Sequence, residues 1–437
     1  MDVGALTALD VSGLADRLAG FLQPYQALMG HKPRRAHVRT FIEGLVSGLE
    51  RKSVEPIALA HGMEREPLQY FVGVSQWREE PLLARLREEV ASELGEADGV
   101  LIIDGSAVPK KGTESVGVAR QWCGRLGKVE NCQIGVYLAY AGRDSGVLVD
   151  RRLHLPRKWA KDRKRRAKVY VPDAVKFKKA WEHADEMLRE SGGQLPHGWV
   201  VGDDEYGRCT QFRDGLSDRG ERYMMEVPSN TAVRKVRSGV GRPPTWHKAV
   251  QFARRRPANA WSRFRVRDGE KGPIEVRATT ARVETRRSRG GLRREILLVM
   301  ETLDGSDRWV FLTNASRRVP VAKLVEVASK RHLIEEAFEM GKGEVGLDHY
   351  EVRTWQGWHH HTACAMIASW FLVREQRRLG EKSATADSSA GPDGSERDPA
   401  ATDDTGNDRR PVHVPNAPER GSAAFTMARQ GAYPATA

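Results

Sequence analysis

Two short apolar runs, each leading into an aspartate, constrain the fold of this chain most strongly. Val100–Ile103 is a continuous apolar run followed by Asp104, and residues 197–202, HGWVVG, lead into Asp203. Runs without alternating polar residues are typical of strands buried on both faces, which occur mainly in α/β proteins with a covered sheet. If the two strands are parallel neighbours, both carboxylates leave the sheet at one edge.

The order of elements around these runs predicts a mixed sheet. Two more strands are predicted at 131–141 and 147–155, followed by a helix at 173–191. A fifth strand at 222–227 and a helix at 320–342 follow later in the chain. Because strands and helices do not alternate as in a doubly wound fold, we predict an α/β layer fold with a mixed sheet.

Changes in composition divide the chain into five segments. Residues 1–97 carry apolar residues at helical spacing and are predicted to form a helical N-terminal domain. The sheet-containing core is predicted over 98–228 and is completed by 316–380. Between these parts lies an arginine-rich, β-rich insertion, 229–315. Residues 381–437 are rich in Ser, Ala, Gly, Asp and Pro and are predicted to be a disordered tail.

The charge of the chain favours a polyanionic partner. Its 437 residues include 71 Lys and Arg against 58 Asp and Glu, a net charge of +13 with a pI of about 9.6. Nucleic acid is the simplest partner, and an anionic membrane surface is the alternative. The sequence has no apolar run of about 18 residues and no secretory pattern at its start, so we expect a cytoplasmic protein.

Two features of the sequence allow both a DNA-binding and a structural interpretation. Residues 53–72 contain two short helical patterns around Gly62, as in a helix-turn-helix, although ordinary packed helices joined by a glycine turn have the same pattern. The basic residues of the insertion 229–315 could contact phosphates or form a solvated charged sheet face. The sequence leaves both alternatives open.

A third acid lies in the stretch 331–342, RHLIEEAFEMGK. Arg331, Glu335 and Lys342 follow at steps of four and seven residues, which places them within about 40° on one face of a helix. The neighbouring Glu336 is rotated by about 100° and leaves this stripe. One acid therefore lies between two cations that can hold phosphates.

Asp104, Asp203 and Glu335 have the donor type and number that Mg²⁺ prefers. Two divalent ions can activate a water and stabilise the leaving oxygen in phosphodiester cleavage. Taken singly, each aspartate is more typical of a turn cap at a strand end, and Glu335 of an exposed helix position. Asp204 adjoins Asp203, but neighbouring strand residues point to opposite faces, so one of the pair faces the site.

Three blocks of sequence resemble DDE transposases of bacterial insertion sequences. They are residues 102–136, residues 200–207 (VVGDDEYG) and residues 331–361. More narrowly, they resemble the DDE superfamily endonuclease branch, which has a β-rich insertion before its glutamate. The resemblance covers roughly residues 30–380, and it implies a ribonuclease-H-like core.

The resemblance implies a catalytic triad of Asp104, Asp203 and Glu335 that binds two Mg²⁺ ions, with Mn²⁺ able to substitute. In the family pattern a tyrosine follows the second acid after three residues; Tyr206 stands at this offset from Asp203, which favours Asp203 over Asp204.

The family signature of Tyr, Arg, Glu and Lys matches Arg331, Glu335 and Lys342, and it implies DNA contacts for the two cations. The tyrosine position is Ala328 here, and this departure concerns one DNA-strand contact.

Two further clusters of polar residues lie near the matched blocks. Lys110 and Lys111 follow the first acid in VPKKG, and we predict that they hold the DNA backbone, with a solvated loop as the alternative. His349 and the run 359–361 lack cysteine partners at zinc-finger spacing. A polar helix start or a DNA-contacting surface is therefore predicted there rather than a zinc site.

The predicted function is that of an insertion-sequence transposase in the nucleoid of a bacterial cytoplasm. Its expected partners are the terminal repeats of the element, the target DNA, and a second copy of the chain in the synaptic complex. A transposase-derived DNA-binding protein without activity and a stand-alone Mg²⁺-dependent nuclease are the alternatives. Inverted repeats flanking the gene would favour a mobile element.

Overall fold

A computed structural model describes residues 13–142, 145–237, 239, 242–269 and 272–389. Within these residues, five helices precede the first strand: α1 (Leu14–Ala27), α2 (Lys32–Val46), α3 (Val54–Ala60), α4 (Arg65–Gly73) and α5 (Glu80–Leu94). They pack around the C-terminal helix α14 (Trp355–Ser389). Tyr25, Phe41 and Trp370 are fully buried in this helical layer.

Buried histidines fasten the start of α14 to the N-terminal helices. The two ring nitrogens of His360 each lie 3.0 Å from a carbonyl oxygen, those of Val72 and Trp77, and the ring stacks on the Trp77 indole. All three residues of the run 359–361 are buried. These three histidines lie at the start of α14, as a polar helix start predicts, and their burial contradicts the DNA-contacting surface predicted as its alternative. His349, the fourth member of the cluster, is 25% exposed, and its role stays a prediction.

The central sheet has the strand order that the resemblance implies. Its strands are β1 (Val100–Pro109), β2 (Ala119–Cys123), β3 (Lys128–Gly142), β4 (Ser145–Leu153), β5 (Trp199–Gly202) and β6 (Tyr223–Glu226). Strands β4, β3, β1, β5 and β6 lie side by side; β3 is antiparallel to β1 and β4, and β5 is parallel to β1 and β6. This is a ribonuclease-H-like mixed sheet, so the predicted fold class is confirmed.

Short helices follow β4 and β5 in this core. They are α6 (Arg157–Lys161), α7 (Arg163–Lys168), α8 (Ala180–Glu190), α9 (Asp204–Gly207) and α10 (Thr210–Asp218). The helix predicted over 173–191 begins only at Ala180, where the Glu182 side chain accepts a hydrogen bond from the Lys179 N–H. This bond satisfies a backbone N–H that the helix leaves unpaired, and it marks the start of the helix.

The β-rich insertion continues the central sheet. It consists of β7 (Ala232–Lys235), β8 (His247–Lys248), α11 (Ala249–Arg254), β9 (Ser262–Gly269), β10 (Gly272–Arg286), β11 (Leu292–Thr302) and β12 (Arg308–Thr313). Strand β12 pairs with β6, and the whole forms one sheet of twelve strands. A second apolar core lies under α11 and includes Val233, Phe252 and Leu297.

The helix predicted over 320–342 is two helices, α12 (Val321–Ser329) and α13 (His332–Gly343). The Ser329 hydroxyl donates to the Val325 carbonyl oxygen at 2.7 Å, a bond that competes with regular helix geometry. A turn at Lys330 and Arg331 separates α12 from α13.

The C-terminal helix α14 runs to Ser389, beyond residue 381 where the disordered tail was predicted to begin. The remainder of that predicted tail, 390–437, lies outside the described residues. Among the helices that are described, none has the length and apolar character needed to cross a lipid bilayer.

Candidate active site

The first two predicted acids lie side by side on parallel strands. Ile103 of β1 pairs with Gly202 of β5, so the residues that follow them, Asp104 and Asp203, are at the same level of the sheet. Strand β5 ends at this level, whereas β1 continues to Pro109 because β3 pairs with it throughout. Asp104 was predicted to lie at the end of its strand. The structure places it inside β1 instead.

Asp203 is held by the helix that follows it. Its Oδ1 accepts hydrogen bonds from the N–H groups of Glu205 at 3.0 Å and Tyr206 at 3.5 Å, so that it caps α9. Asp204 is directed to Arg208 instead, with an ion pair of 2.6 Å. Asp203 thus combines the capping role expected of an isolated aspartate with a position beside Asp104.

A close backbone contact fixes the turn that carries Asp203. A Cβ at Gly207 would overlap the carbonyl oxygen of Glu226 on β6, so any other residue would push α9 away from the sheet. Glycine is the residue that allows such an approach. The close contact at Gly207 thus sets the distance between the turn that carries Asp203 and strand β6.

Glu335 reaches the site from α13, which packs on β1, β3 and β4. A Cβ at Gly146, near the start of β4, would lie 2.6 Å from the Leu333 carbonyl oxygen. The glycine therefore lets the helix come close to the sheet two residues before Glu335. Glu336 is directed away and pairs with Arg267 of the insertion at 2.9 Å.

The Arg331 guanidinium joins the acids. It lies 2.8 Å from Glu335, 3.7 Å from Asp104 and 3.9 Å from Glu226. The side chain is 17% exposed, and the acids around it hold the pKa of the guanidinium above its usual value despite burial. Arg331 therefore stays charged and partly neutralises the acids that surround it.

Negative charge in the site exceeds what Arg331 can neutralise. Burial raises the pKa of Asp203 well above the usual carboxyl range, and repulsion by Asp104 adds to the rise. Burial also raises the pKa of Asp104, although Arg331 opposes it. Burial likewise raises the pKa of Glu205, to about 7. Removing carboxylates from water disfavours their ionised form unless cations compensate.

Sequence reasoning missed Glu205 and Glu226. Glu226 ends the strand predicted at 222–227, next to the strand that leads into Asp203, so the rule applied to the two aspartates would also have selected it. Glu205 had no such signal, because its burial depends on the turn after β5.

The predicted DNA-contacting lysines have different surroundings. Lys342 is half-buried, its ammonium lies 5.4 Å from the Phe338 ring centroid, and burial lowers its pKa. The Lys110 ammonium donates to the Tyr350 carbonyl oxygen at 2.9 Å and lies over the Tyr350 ring. Burial lowers the pKa of Lys110 to about 8. Lys111 is exposed to solvent.

Ala328, which replaces the signature tyrosine, borders a small cavity of about 50 Å³. The cavity lies beside Arg331 and Glu335. Its remaining lining comes from Glu226, Val266, Val276, Met300, Trp309, Phe311, Ser329 and His332. The insertion thus forms one wall of the site.

In the part of the chain that the structure describes, no three His, Cys, Asp or Glu side chains are grouped closely enough to hold a metal ion. By donor type and charge, however, Asp104, Asp203 and Glu335 fit a divalent cation. Carboxylate oxygens are the ligands that Mg²⁺ prefers. Burial raises the pKa of both aspartates because it disfavours their charged form, and a bound cation would favour that form.

Comparison with known proteins shows the family of the chain. Residues 24–290, more than half of the chain, match the sequence model of the family described as DDE superfamily endonuclease. A probable transposase for insertion sequence element IS701 from Microchaete diplosiphon is 32% identical over 110 residues, which are 24% of this chain and 29% of that protein. The match thus spans less than a third of that relative.

Among solved structures, the cryo-EM structure of a piggyBac transposase synaptic complex with hairpin DNA is similar over 85% of this chain and 73% of that chain. The two are 9% identical and superpose with a TM-score of 0.35. Because the family model matches more than half of the chain, the chain belongs to the DDE superfamily endonucleases.

Proposed function

We propose that this protein is the DNA transposase of an insertion sequence, cutting DNA at the element ends and joining them to target DNA. The observation that carries the proposal is the position of Asp104 and Asp203 at one level of parallel strands, with Glu335 joined to Asp104 through Arg331. Membership of an endonuclease family supports the same chemistry.

Asp104, Asp203 and Glu335 are the residues that would hold Mg²⁺, or Mn²⁺ in its place. Two such ions supply an activated nucleophile and stabilise the leaving oxygen of a phosphodiester. Asp203 would stay oriented because two N–H groups of α9 bind it. The position of α13 depends on the close approach at Gly146.

Arg331 and Lys342 provide positive charge beside these acids. In the proposed function they hold phosphate oxygens of DNA, and their placement on α13 and on the residue directly before it orients the phosphate for in-line displacement. Lys111 is the exposed member of the VPKKG loop and would contact the backbone, whereas Lys110 would act from a half-buried position. Both cleavage and joining are displacements that need no covalent enzyme intermediate.

DNA would also contact other parts of the chain. We assign the predicted segment 1–97 a role in binding the element ends, with α3, Gly62 and α4 as the candidate helix-turn-helix. Joining two ends requires both to be held at once, which a homodimer in the synaptic complex would achieve.

A strand-transfer assay tests the proposal. The substrate is a duplex carrying the terminal DNA that flanks the gene, with a plasmid as target and Mg²⁺ in the buffer. We expect wild-type protein to cut and join, Glu335→Gln to do neither, and Glu336→Gln to retain both, because Glu336 pairs with Arg267 outside the site. Equal products from wild type and Glu335→Gln would contradict the three-acid mechanism.

The products also separate the alternative functions. Cutting without joining would indicate a stand-alone nuclease. Binding of the terminal duplex without either reaction, with Mg²⁺ or Mn²⁺, would indicate a DNA-binding protein derived from a transposase. Either result would overturn the proposed function.

A further inference from the structure

The positive charge of the chain is concentrated in the insertion. Residues 229–315 contain twenty Lys and Arg against eight Asp and Glu, a net charge of +12, while the whole chain carries +13. The rest of the protein is therefore nearly neutral. Positive charge collected on one part of a protein identifies the surface that attracts polyanions.

One face of strands β10 and β11 carries part of this charge. In an antiparallel pair, residues directly opposite each other lie on the same face of the sheet. Arg282 is opposite Ile296, Glu284 is opposite Arg294, and Arg286 is opposite Leu292. The side chains of these three arginines are exposed to solvent.

The same face leads to the candidate active site. Ile296, Leu298 and Met300 alternate along β11 and therefore share the face of the arginines. Leu298 and Met300 are buried in the main core, and Met300 lines the cavity beside Arg331 and Glu335. The cavity beside Arg331 and Glu335 and the exposed arginines thus lie on the same face of the sheet, and the part between them is buried where α12 packs on β10.

Trp246 organises the arginines at the far end of this surface. The guanidinium carbons of Arg234 and Arg286 lie 5.1 Å and 4.8 Å from the centroid of its ring. Glu284 pairs with Arg234 at 2.9 Å and lies 4.0 Å from Arg294. We call Arg234, Arg282, Arg286 and Arg294, around Trp246 and Glu284, the guanidinium cluster.

The chemistry of the guanidinium cluster suits a phosphate backbone. Guanidinium groups remain charged, present planar donors that match phosphate oxygens, and lose little freedom when an aromatic ring already orients them. Four of them face a single carboxylate, so the cluster keeps a net positive charge. The guanidinium cluster therefore fits a polyanion better than it fits a single acidic side chain.

Strand geometry gives the distance along β11 from Met300, which lines the cavity beside Arg331 and Glu335, to the guanidinium cluster. At about 3.3 Å per residue, the level of Ile296 is about 13 Å from Met300, and that of Leu292 is about 26 Å away. DNA rises about 3.4 Å per base pair, so these distances correspond to about four and about eight base pairs.

We propose that the guanidinium cluster binds the DNA backbone about four to eight base pairs from the phosphate that reacts at Asp104, Asp203 and Glu335. This inference rests on the proposed function, since it takes DNA as the ligand of the three acids. It adds a second contact region outside the sequence signature, which spans residues 328–342.

Two duplexes that differ in length test this distance. Both carry the terminal DNA that flanks the gene; one extends about three base pairs from the cutting position on the side of the element and the other about ten. Wild-type protein should bind the longer duplex at least about tenfold more tightly, and Arg282→Gln/Arg286→Gln should lose this gain. The double variant should also lower the slope of log affinity against log salt by about 2, or about 0.9 for each lost phosphate contact.

Arg189→Gln is the matched control. Arg189 is 56% exposed and pairs with Asp185 within α8, so its replacement removes one exposed arginine from a different surface. We expect it to keep the gain with length. Thermal unfolding of wild type, the double variant and Arg189→Gln checks that all three fold. The single variant Arg282→Gln provides a milder change at an exposed site.

The results distinguish the two levels of inference. If the double variant gains affinity with length as wild type does, the guanidinium cluster does not bind DNA, and the proposed function survives. If wild-type protein does not bind either duplex, the proposed function fails.

Trp246→Phe should keep the gain in affinity with duplex length, and Trp246→Ala should lose part of it at unchanged melting temperature, since the ring orients the arginines.

Discussion

The two ends of the shared sheet surface have opposite arrangements of charge. At the candidate active site one cation, Arg331, lies among Asp104, Glu226 and Glu335, and burial raises the pKa of Asp104 and Glu226. In the guanidinium cluster one acid, Glu284, lies among arginines that stay charged. The first arrangement leaves negative charge for a cation to neutralise, and the second leaves positive charge for a polyanion. In the proposed function, DNA cleavage and DNA attachment would thus take place at separate parts of one sheet face.

Removal of one catalytic acid should give the largest effect. Asp104→Asn should lower the cleavage rate at least about a thousandfold, equivalent to about 4 kcal/mol, because the proposed metal site would lose a ligand. Its affinity for duplex DNA should stay within about threefold of wild type, since attachment depends on basic residues elsewhere. Cleavage rates at saturating DNA and equilibrium binding measure the two quantities. A parallel loss of binding would show that the two functions are not separate.

A second prediction concerns the backbone contact that positions Asp203. Gly207→Ala should force α9 away from the Glu226 carbonyl and reduce cleavage by about a hundredfold, because a shift of about 1 Å at a reacting group has that effect. Gly193→Ala, where an added Cβ meets open space, is the control and should cleave normally. Equal activity of both variants would mean that the turn relaxes without moving the acid.

The raised pKa of Glu205 predicts a pH-dependent effect on stability. A carboxyl group whose pKa is raised on folding stabilises the fold at low pH and loses this contribution as the pH rises from about 4.5 to about 7. Glu205→Gln does not titrate, so its melting temperature should exceed that of wild type by about 2 to 4 °C at pH 8 and match it near pH 4. Thermal unfolding in a chelator at both pH values measures this.

Glu88→Gln serves as the control for the Glu205 prediction. Glu88 is 66% exposed on α5, so its replacement should change the melting temperature equally at the two pH values. A Glu205→Gln variant that behaves like this control would contradict the burial of Glu205.

The smallest effect is expected at the ion pair that joins the insertion to α13. Arg267→Gln removes the 2.9 Å contact with Glu336, whose side chain is 53% exposed. Pairs exposed to this degree contribute less than about 1 kcal/mol, so the free energy of unfolding should fall by no more than that. A larger loss, measured by denaturant unfolding, would show that the insertion and the catalytic helix depend on each other.

Local patterns predicted much of the catalytic core. The apolar runs before Asp104 and Asp203 identified β1 and β5, because buried strands need continuous apolar side chains. The spacing of Arg331 and Glu335 predicted a contact that the structure has at 2.8 Å. In both cases the signal lies within a few residues of the feature that it predicts.

Other features depend on contacts that are distant in sequence. The pairing of β6 with β12 joins Met225 to Leu312 and makes the insertion part of the main sheet, which no local pattern indicates. The break between α12 and α13 contains neither Gly nor Pro, so the helical periodicity seemed uninterrupted. Glu205 became part of the site through burial, which only the folded chain determines.

The junction between β6 and β12 also affects how this protein can change over evolution. The Val227 N–H donates to the Val310 carbonyl oxygen at 2.8 Å, so the chain leaves the core and returns to it at adjacent points. A segment whose ends are neighbours can be exchanged without rethreading the rest of the fold. Because its inner face covers α12, simple removal would expose apolar surface. If the insertion contacts DNA as proposed, its replacement by another domain of similar shape would be a route to a new DNA target.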